Sequence, residues 1–124
     1  MGGANQARGA FGEDLVARWY AARGYQVLDR NWRRSRVGEL DLVLGRPVGR
    51  SSVGLVVFCE VKTRSSTAFG HPFEAVNATK LERIRRLGWA WLDEHDLKHV
   101  RMRVDVAAVL GARGAAAVEV LHDL

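Results

Sequence analysis

The chain has 124 residues, of which 48% are hydrophobic and 27% are charged. This length fits one domain, and this composition excludes a disordered, collagen-like or coiled-coil protein. Lysine and arginine outnumber aspartate and glutamate by 19 to 14, which gives a net charge of +5. Most of these cations are arginine, which suits phosphate contacts and favours a nucleic-acid partner; arginine-rich codon usage would give the same composition.

The sequence predicts no targeting or membrane segment. Apolar runs such as residues 55–59 are far shorter than the ~20 residues of a membrane-spanning helix. The first ten residues lack the apolar core of a signal peptide. The single cysteine, Cys59, excludes an internal disulfide and a cysteine-built zinc site. We therefore expect a cytoplasmic protein without membrane contact.

The hydrophobic pattern predicts one domain with the element order αβββαββ. Residues 1–9 are glycine-rich and polar, and we expect a flexible tail there, followed by a single domain over residues 10–124. Two segments carry the apolar stripe of a helix, at residues 11–23 and 78–94. Asn77 is a suitable N-cap for the second helix. Five segments have the composition of strands, at residues 25–28, 38–44, 55–63, 101–109 and 118–121.

Two acidic residues interrupt otherwise apolar strands. Asp41 lies in the second predicted strand, and Glu60 lies in the third, two residues before Lys62. Alternation places Glu60 and Lys62 on one face, and a hairpin of the two strands would bring Asp41 beside Glu60. Since a buried carboxylate is costly unless it is paired or binds a cation, we expect these groups to converge. The leucines expected on the opposite face of the second strand are Leu40, Leu42 and Leu44.

Such a cluster suits metal-assisted hydrolysis of phosphodiester bonds. Mg²⁺ prefers oxygen ligands and commonly takes one or two carboxylates together with water and phosphate oxygens. The ion polarises the phosphoryl group and lowers the pKa of bound water. Lys62 could then orient that water or stabilise charge on the phosphate. For the Glu-x-Lys tripeptide alone, an ion pair on a half-exposed strand is the alternative.

Longer motifs extend this pattern. The segments GELDLV at residues 38–43, VFCEVKTR at 57–64, and FGHP with EAV at 69–76 resemble the YraN-like family of small bacterial proteins. An acidic residue followed by Glu-x-Lys on the next strand resembles the restriction-endonuclease-like, PD-(D/E)xK, nuclease superfamily. Leu40 stands where the superfamily has proline, and Cys59 replaces an aliphatic residue and is expected to fill the core.

The resemblance covers residues 9–109 and implies both a fold and a site. The implied fold is α/β, restriction-endonuclease-like (tRNA-endonuclease-like), with a mixed central sheet flanked by helices. Asp41 and Glu60 would bind Mg²⁺ or Mn²⁺, and Lys62 would be catalytic. Related Holliday-junction resolvases carry a further glutamate on the first helix, and Glu13 lies where that ligand would fall. The alternative for Glu13 is a first-turn glutamate favoured by the helix dipole.

Basic residues near these strands are candidates for nucleic-acid contacts. They are Arg30, Arg33, Arg34, Arg36, Arg64 and Lys80. Lys80 could instead be a solvated helix lysine. Trp32 could stack on a base or belong to the core or an interface. Asp105 alternates with Arg101 and Arg103, and we expect it to be a salt-bridged structural aspartate.

Together these features predict a metal-dependent nuclease that hydrolyses phosphodiester bonds of DNA, including branched or damaged DNA. DNA is favoured over RNA as the partner. Double-strand cleavage by so small a domain would require two copies, as in a symmetric homodimer. Two alternatives stay open: a non-catalytic nucleic-acid-binding module that retains the nuclease fold, and an adaptor that binds another protein.

Overall fold

The computed structural model describes residues 2–48, 52–68, 70–97, 99–112 and 114–124. The helices and strands follow one another in the predicted order. They are α1 (Gly2–Ala21), β1 (Gln26–Arg34), β2 (Gly38–Val48), β3 (Ser52–Arg64), α2 (Ala78–Glu94), β4 (Arg101–Leu110) and β5 (Ala117–Leu121). A short 3-10 helix, Pro72–Ala75, lies between β3 and α2.

The five strands form one mixed sheet in the order β1-β2-β3-β4-β5. β3 and β4 are parallel because α2 crosses over between them, and the other three neighbouring pairs are antiparallel. One helix packs on each face of the sheet. A mixed central sheet flanked by helices is therefore confirmed. Among the described residues, no helix combines the length and the apolar composition needed to cross a membrane.

The first helix begins earlier than predicted. α1 starts at Gly2, so it includes most of the segment expected to be a flexible tail. Glycine lowers helix propensity, which is why the composition of residues 1–9 favoured a loose chain. Once Val16 and Tyr20 are buried against the sheet, extending a helix costs much less than starting one.

Each face of the sheet carries its own cluster of buried side chains. On the α1 face these include Val16, Tyr20, Leu42, Leu44, Val57 and Cys59. On the α2 face they include Leu40, Val43, Val56, Phe58, Ile84 and Leu87. Cys59 is 2% exposed and fills the core as expected. The side chain of Asn77 accepts a hydrogen bond from the backbone N–H of Lys80 at 2.9 Å, so the predicted N-cap of α2 is also confirmed.

β1 and β2 share an irregularity that reverses the alternation of their side chains. Asn31 in β1 has a left-handed backbone, with φ at 52°. Before it, Arg30 contacts α1, and after it, Trp32 packs on the α2 face. The side chains of β2 change faces in the same way, because Leu42 pairs with Arg30 and Leu40 pairs with Trp32. Leu40 therefore packs on the α2 face, and its predicted alignment with Leu42 is wrong.

Candidate active site

The Asp41 carboxylate lies where the β2–β3 ladder ends. Backbone pairing between these strands extends as far as Leu42 opposite Cys59. Beyond that pair, the backbone N–H of Val61 donates a hydrogen bond to Oδ2 of Asp41 at 2.8 Å. The side chain of Asp41 thus bridges the two strands and is held against β3 at a fixed position.

Glu60 forms ion pairs with two lysines. Its Oε1 atom lies 3.1 Å from Nζ of Lys62 on the same strand and 3.4 Å from Nζ of Lys80 on α2. The side chains of Glu60 and Lys62 are only 13% and 16% exposed. The structure therefore brings both lysines to the same carboxylate, although only Lys62 belongs to the Glu-x-Lys motif.

Asp41 lies in an environment that disfavours its negative charge. Burial, together with the nearby charge of Glu60, raises the pKa of Asp41 to about 7. The hydrogen bond from Val61 acts in the opposite direction, while Glu13 and Glu39 raise the pKa further. A carboxyl group whose pKa is raised by burial and by other carboxylates is stabilised when a cation approaches.

Glu13 on α1 reaches the same acidic region but has its own partners. Burial raises the pKa of Glu13, and a hydrogen bond from the side chain of Asn31 and the charge of Arg30 oppose this shift. Nη2 of Arg30 lies 3.8 Å from Oε1 of Glu13 and 2.7 Å from Oδ1 of Asp14. Arg30 therefore binds the acidic side chains of α1, and its side chain is 38% exposed.

A pocket of about 230 Å³ lies beside Asp41, Glu60 and Lys80, and neither Glu13 nor Lys62 is among its described lining residues. Its lining residues are Glu39, Asp41, Glu60, Lys80, Arg83, Ile84 and Leu87. Two charged residues among them, Glu39 and Arg83, were not predicted as site residues. Arg83 could have been found from its spacing, because it follows Lys80 by three residues and so shares its helix face. Glu39 could also have been found, because regular alternation in β2 predicts that it shares a face with Asp41.

The predicted arginines of β1 make contacts within the chain. Nη2 of Arg33 lies 2.8 Å from Oε2 of Glu39 at the pocket, and the side chain of Arg33 is 77% exposed. The guanidinium of Arg34 lies 5.7 Å from the ring of Trp32. Trp32 packs against the α2 cluster, and its Nε1 donates a hydrogen bond to Glu94. Trp32 thus has a packing role in this structure.

Two further predicted arginines lie at strand ends. Arg36 is exposed in the turn between β1 and β2, with φ at 65°. Arg64 is the last residue of β3, and its Nη1 donates a hydrogen bond to the carbonyl of Thr63 at 3.0 Å. Arg64 lies two residues after Lys62 in the sequence. Arg36 lies in the turn that follows β1, whereas α1 precedes that strand.

The donor set fits a divalent cation bound by two carboxylates. In the described part of the chain, no three or more His, Cys, Asp or Glu side chains are grouped to hold a metal ion, so Glu13 does not complete a three-carboxylate cluster here. The contacts above involve Oδ2 of Asp41 and Oε1 of Glu60, so Oδ1 and Oε2 could bind a cation. Mg²⁺ commonly binds one or two carboxylates and keeps several waters.

A second buried acid, Asp105 on β4, lies on the α1 face. Nε and Nη2 of Arg103 each donate a hydrogen bond to it at 2.9 Å. Oη of Tyr20 and the backbone N–H of Asp123 also donate, and Nδ1 of His122 lies 2.9 Å from Oδ2. Asp105 is 0% exposed. The expectation of a salt-bridged structural aspartate is confirmed, with Arg103 as its partner.

Comparison with known proteins identifies the family. The model of the uncharacterised protein family UPF0102 matches residues 12–109. A UPF0102 protein of Beutenbergia cavernae is 54% identical over 122 residues, which cover 98% of each chain. Another, from Streptomyces griseus, is 46% identical over 116 residues, covering 93% of this chain and 92% of the relative. The chain therefore belongs to the UPF0102 family, as its YraN-like motifs indicated.

Proposed function

We propose that this protein is a metal-dependent nuclease of the restriction-endonuclease-like superfamily, which hydrolyses phosphodiester bonds of DNA in the cytoplasm. The observation that carries the proposal is the pair of carboxylates, Asp41 and Glu60, that line one pocket with two ammonium groups beside them. A strongly raised pKa in a cleft is typical of functional acids. A sheet with both acids on adjacent strands supports the superfamily assignment.

Asp41 and Glu60 would bind Mg²⁺ or Mn²⁺ through their remaining oxygens. The bound ion would supply Lewis-acid polarisation of the phosphoryl group and a more acidic water. Asp41 would become ionised as the added positive charge offsets that of Glu60. The hydrogen bond from Val61 keeps its carboxylate oriented, so little reorganisation is needed when the substrate binds.

The two lysines would complete the site. Lys62 is held 3.1 Å from Glu60 and can donate a hydrogen bond to the attacking water or to a phosphate oxygen. Charge that develops on the phosphate is stabilised most strongly by donors that are already in position. Lys80 approaches the same Glu60 oxygen from α2, so one carboxylate positions both ammonium groups.

A cleavage assay tests this proposal. The substrates are linear duplex, single-stranded and four-way-junction DNA, and RNA, each incubated with Mg²⁺, Mn²⁺ or EDTA. We expect cleavage of DNA that requires a divalent ion. Lys62→Ala and Asp41→Asn should each reduce the rate by about 100-fold or more, because each removes a charge needed in the transition state. Binding of DNA should be largely retained in both variants.

Matched controls lie on the outer surface of α2. Glu82 and Arg86 are 73% and 66% exposed and pair with each other at 4.0 Å. Glu82→Gln and Arg86→Ala remove the same charges away from the pocket and should cleave like the wild type. Cleavage that survives Lys62→Ala would show that the activity does not arise at this site.

The rival function is a non-catalytic nucleic-acid-binding module. One observation favours it. Lys62 and Lys80 already offset the negative charge of Glu60, so the site has less need of a metal ion. Salt-dependent binding to DNA without cleavage of any of the four substrates would establish this rival and reject the nuclease. An adaptor role would instead require a protein partner that remains bound after nuclease treatment.

A further inference from the structure

The pocket at the acidic site has a second, basic wall formed by α2. Lys80 and Arg83 lie three residues apart on this helix, and both line the pocket together with Ile84 and Leu87. Residues spaced by three and four positions share one face of a helix. The first turns of α2 therefore present two cations to the carboxylates that β2 and β3 contribute.

Arg83 differs from four other cations near the site in its ion pairing. Arg30, Arg33, Lys62 and Lys80 each lie within 3.8 Å of a carboxylate. Among the residues that the structure describes, Arg83 takes part in no such ion pair. An anion that enters the pocket can therefore bind the Arg83 guanidinium without first breaking a salt bridge. The other four cations would have to exchange a partner.

A glycine accommodates the stem of Arg83. Gly38, at the start of β2, has φ at 144°, and a Cβ atom there would lie 3.3 Å from Cδ of Arg83 and 3.4 Å from Leu87. The side chain of Arg83 thus packs over bare backbone three residues before Asp41. This contact holds the stem of Arg83 at the rim of the pocket, where the residue is exposed.

We propose that Arg83 binds a phosphate group of the substrate, so that α2 forms a phosphate subsite beside the acidic pair. The inference rests on the proposed function and adds the residue that recognises the ligand. A guanidinium matches two phosphate oxygens through paired hydrogen bonds, whereas Lys80 offers a point charge. The phosphate would be either a backbone phosphodiester or a terminal phosphate of the nucleic acid.

The test is a binding measurement that needs no cleavage. In the Asp41→Asn background, with EDTA present, affinity is measured for one single-stranded oligonucleotide with a 5′-hydroxyl and for the same strand with a 5′-phosphate. Arg83→Ala should weaken binding about tenfold, as expected for one charge-assisted contact. It should also lower the slope of log affinity against log salt by about 0.7. Arg83→Lys should restore the slope and only part of the affinity.

Arg86→Ala is the matched control, since it removes an exposed arginine one turn away on the same helix. It should change affinity by no more than about twofold, a difference too small for a phosphate contact. An equal loss for both strands assigns Arg83 to a backbone phosphodiester, and a loss confined to the 5′-phosphorylated strand assigns it to a terminal phosphate. Unchanged binding in Arg83→Ala, or an equal loss in Arg86→Ala, would overturn the subsite.

This outcome is separable from that of the cleavage assay. If the protein cleaves no substrate, and Arg83→Ala weakens binding while Arg86→Ala does not, the phosphate subsite is supported and the nuclease function is rejected. A protein that cleaves DNA and binds equally well in both arginine variants would keep the nuclease and lose the subsite.

Discussion

Two buried aspartates on opposite faces of the same sheet have opposite electrostatic environments. Burial alone would raise the pKa of Asp105, but hydrogen bonds from Arg103, Tyr20 and His122 hold it below its ordinary value. Burial also raises the pKa of Asp41, and there the largest effect of a charged group comes from another carboxylate, Glu60, which raises the pKa further. Asp105 is satisfied by hydrogen bonds from the protein itself, whereas no cation among the described residues offsets the charge of Asp41.

We interpret this difference as that between a structural acid, Asp105, and a candidate functional acid, Asp41. Asp105 joins β4 to α1 and to the C-terminal residues, so its charge contributes to stability. Asp41 receives one backbone hydrogen bond and lines a pocket, and its raised pKa means that its negative charge costs stability. Acids that destabilise the free protein are retained where they act on a ligand.

The largest effect is expected when the satisfied acid is changed. Asp105→Asn leaves Arg103 without its carboxylate, and we expect a loss of about 3–5 kcal/mol in the free energy of unfolding. Urea unfolding at pH 7 measures it, with the exposed Asp93→Asn as a control expected within about 0.5 kcal/mol of the wild type. The pKa of Asp105 is lowered in the fold, so this contribution should vanish as the pH falls below its ordinary range. A loss under about 1 kcal/mol would remove the contrast with Asp41.

At Asp41 we expect the opposite effect, a gain in the free energy of unfolding when the acid is replaced. The fold raises the pKa of Asp41 from 3.8 to about 7, so the wild type should lose stability as the pH rises through this window. Asp41→Asn stays neutral and still accepts from Val61. In EDTA at pH 8 it should be more stable than the wild type by about 2–4 kcal/mol. Near pH 4 the two should be equal. Urea unfolding across this range checks the prediction, and an Asn variant less stable than the wild type at pH 8 would contradict it.

A smaller effect is expected from the backbone beside the acidic site. Asn31 has φ at 52° and donates a hydrogen bond to Glu13. Asn31→Ala should cost about 1–2 kcal/mol, because alanine tolerates the left-handed conformation less well than asparagine and cannot donate the hydrogen bond to Glu13. Asn31→Gly should cost less, since glycine adopts it freely. Thermal unfolding of both variants tests this, and equal losses would show that the hydrogen bond, not the backbone, sets the cost.

The fold was predictable where one rule decided the outcome. Alternation in β3 gave the faces of Val57, Cys59 and Phe58 correctly, and the Asn77 cap gave the start of α2. The start of α1 was not predictable, because tertiary packing outweighs the low propensity of glycine. Leu40 was assigned to the wrong face because nothing in the sequence marks Asn31 as left-handed.

The acidic site was predictable in its central residues and less so at its edge. Asp41, Glu60 and Lys62 were found from charges within apolar strands, which are unusual enough to stand out. Arg83 and Glu39 were missed because their place in the pocket depends on how α2 lies over β2. Arg30 was predicted to contact nucleic acid, yet the structure pairs it with Asp14, a contact between distant elements that no local pattern reveals.

Binding of Mn²⁺ at pH 8, followed by calorimetry, tests most directly whether Asp41 and Glu60 share a divalent ion. The wild type should bind one ion per chain at this site, and Asp41→Asn and Glu60→Gln should each abolish that binding. The exposed Glu82→Gln should bind like the wild type. Equal binding by the wild type, Asp41→Asn and Glu60→Gln would show that Asp41 and Glu60 do not form a metal site.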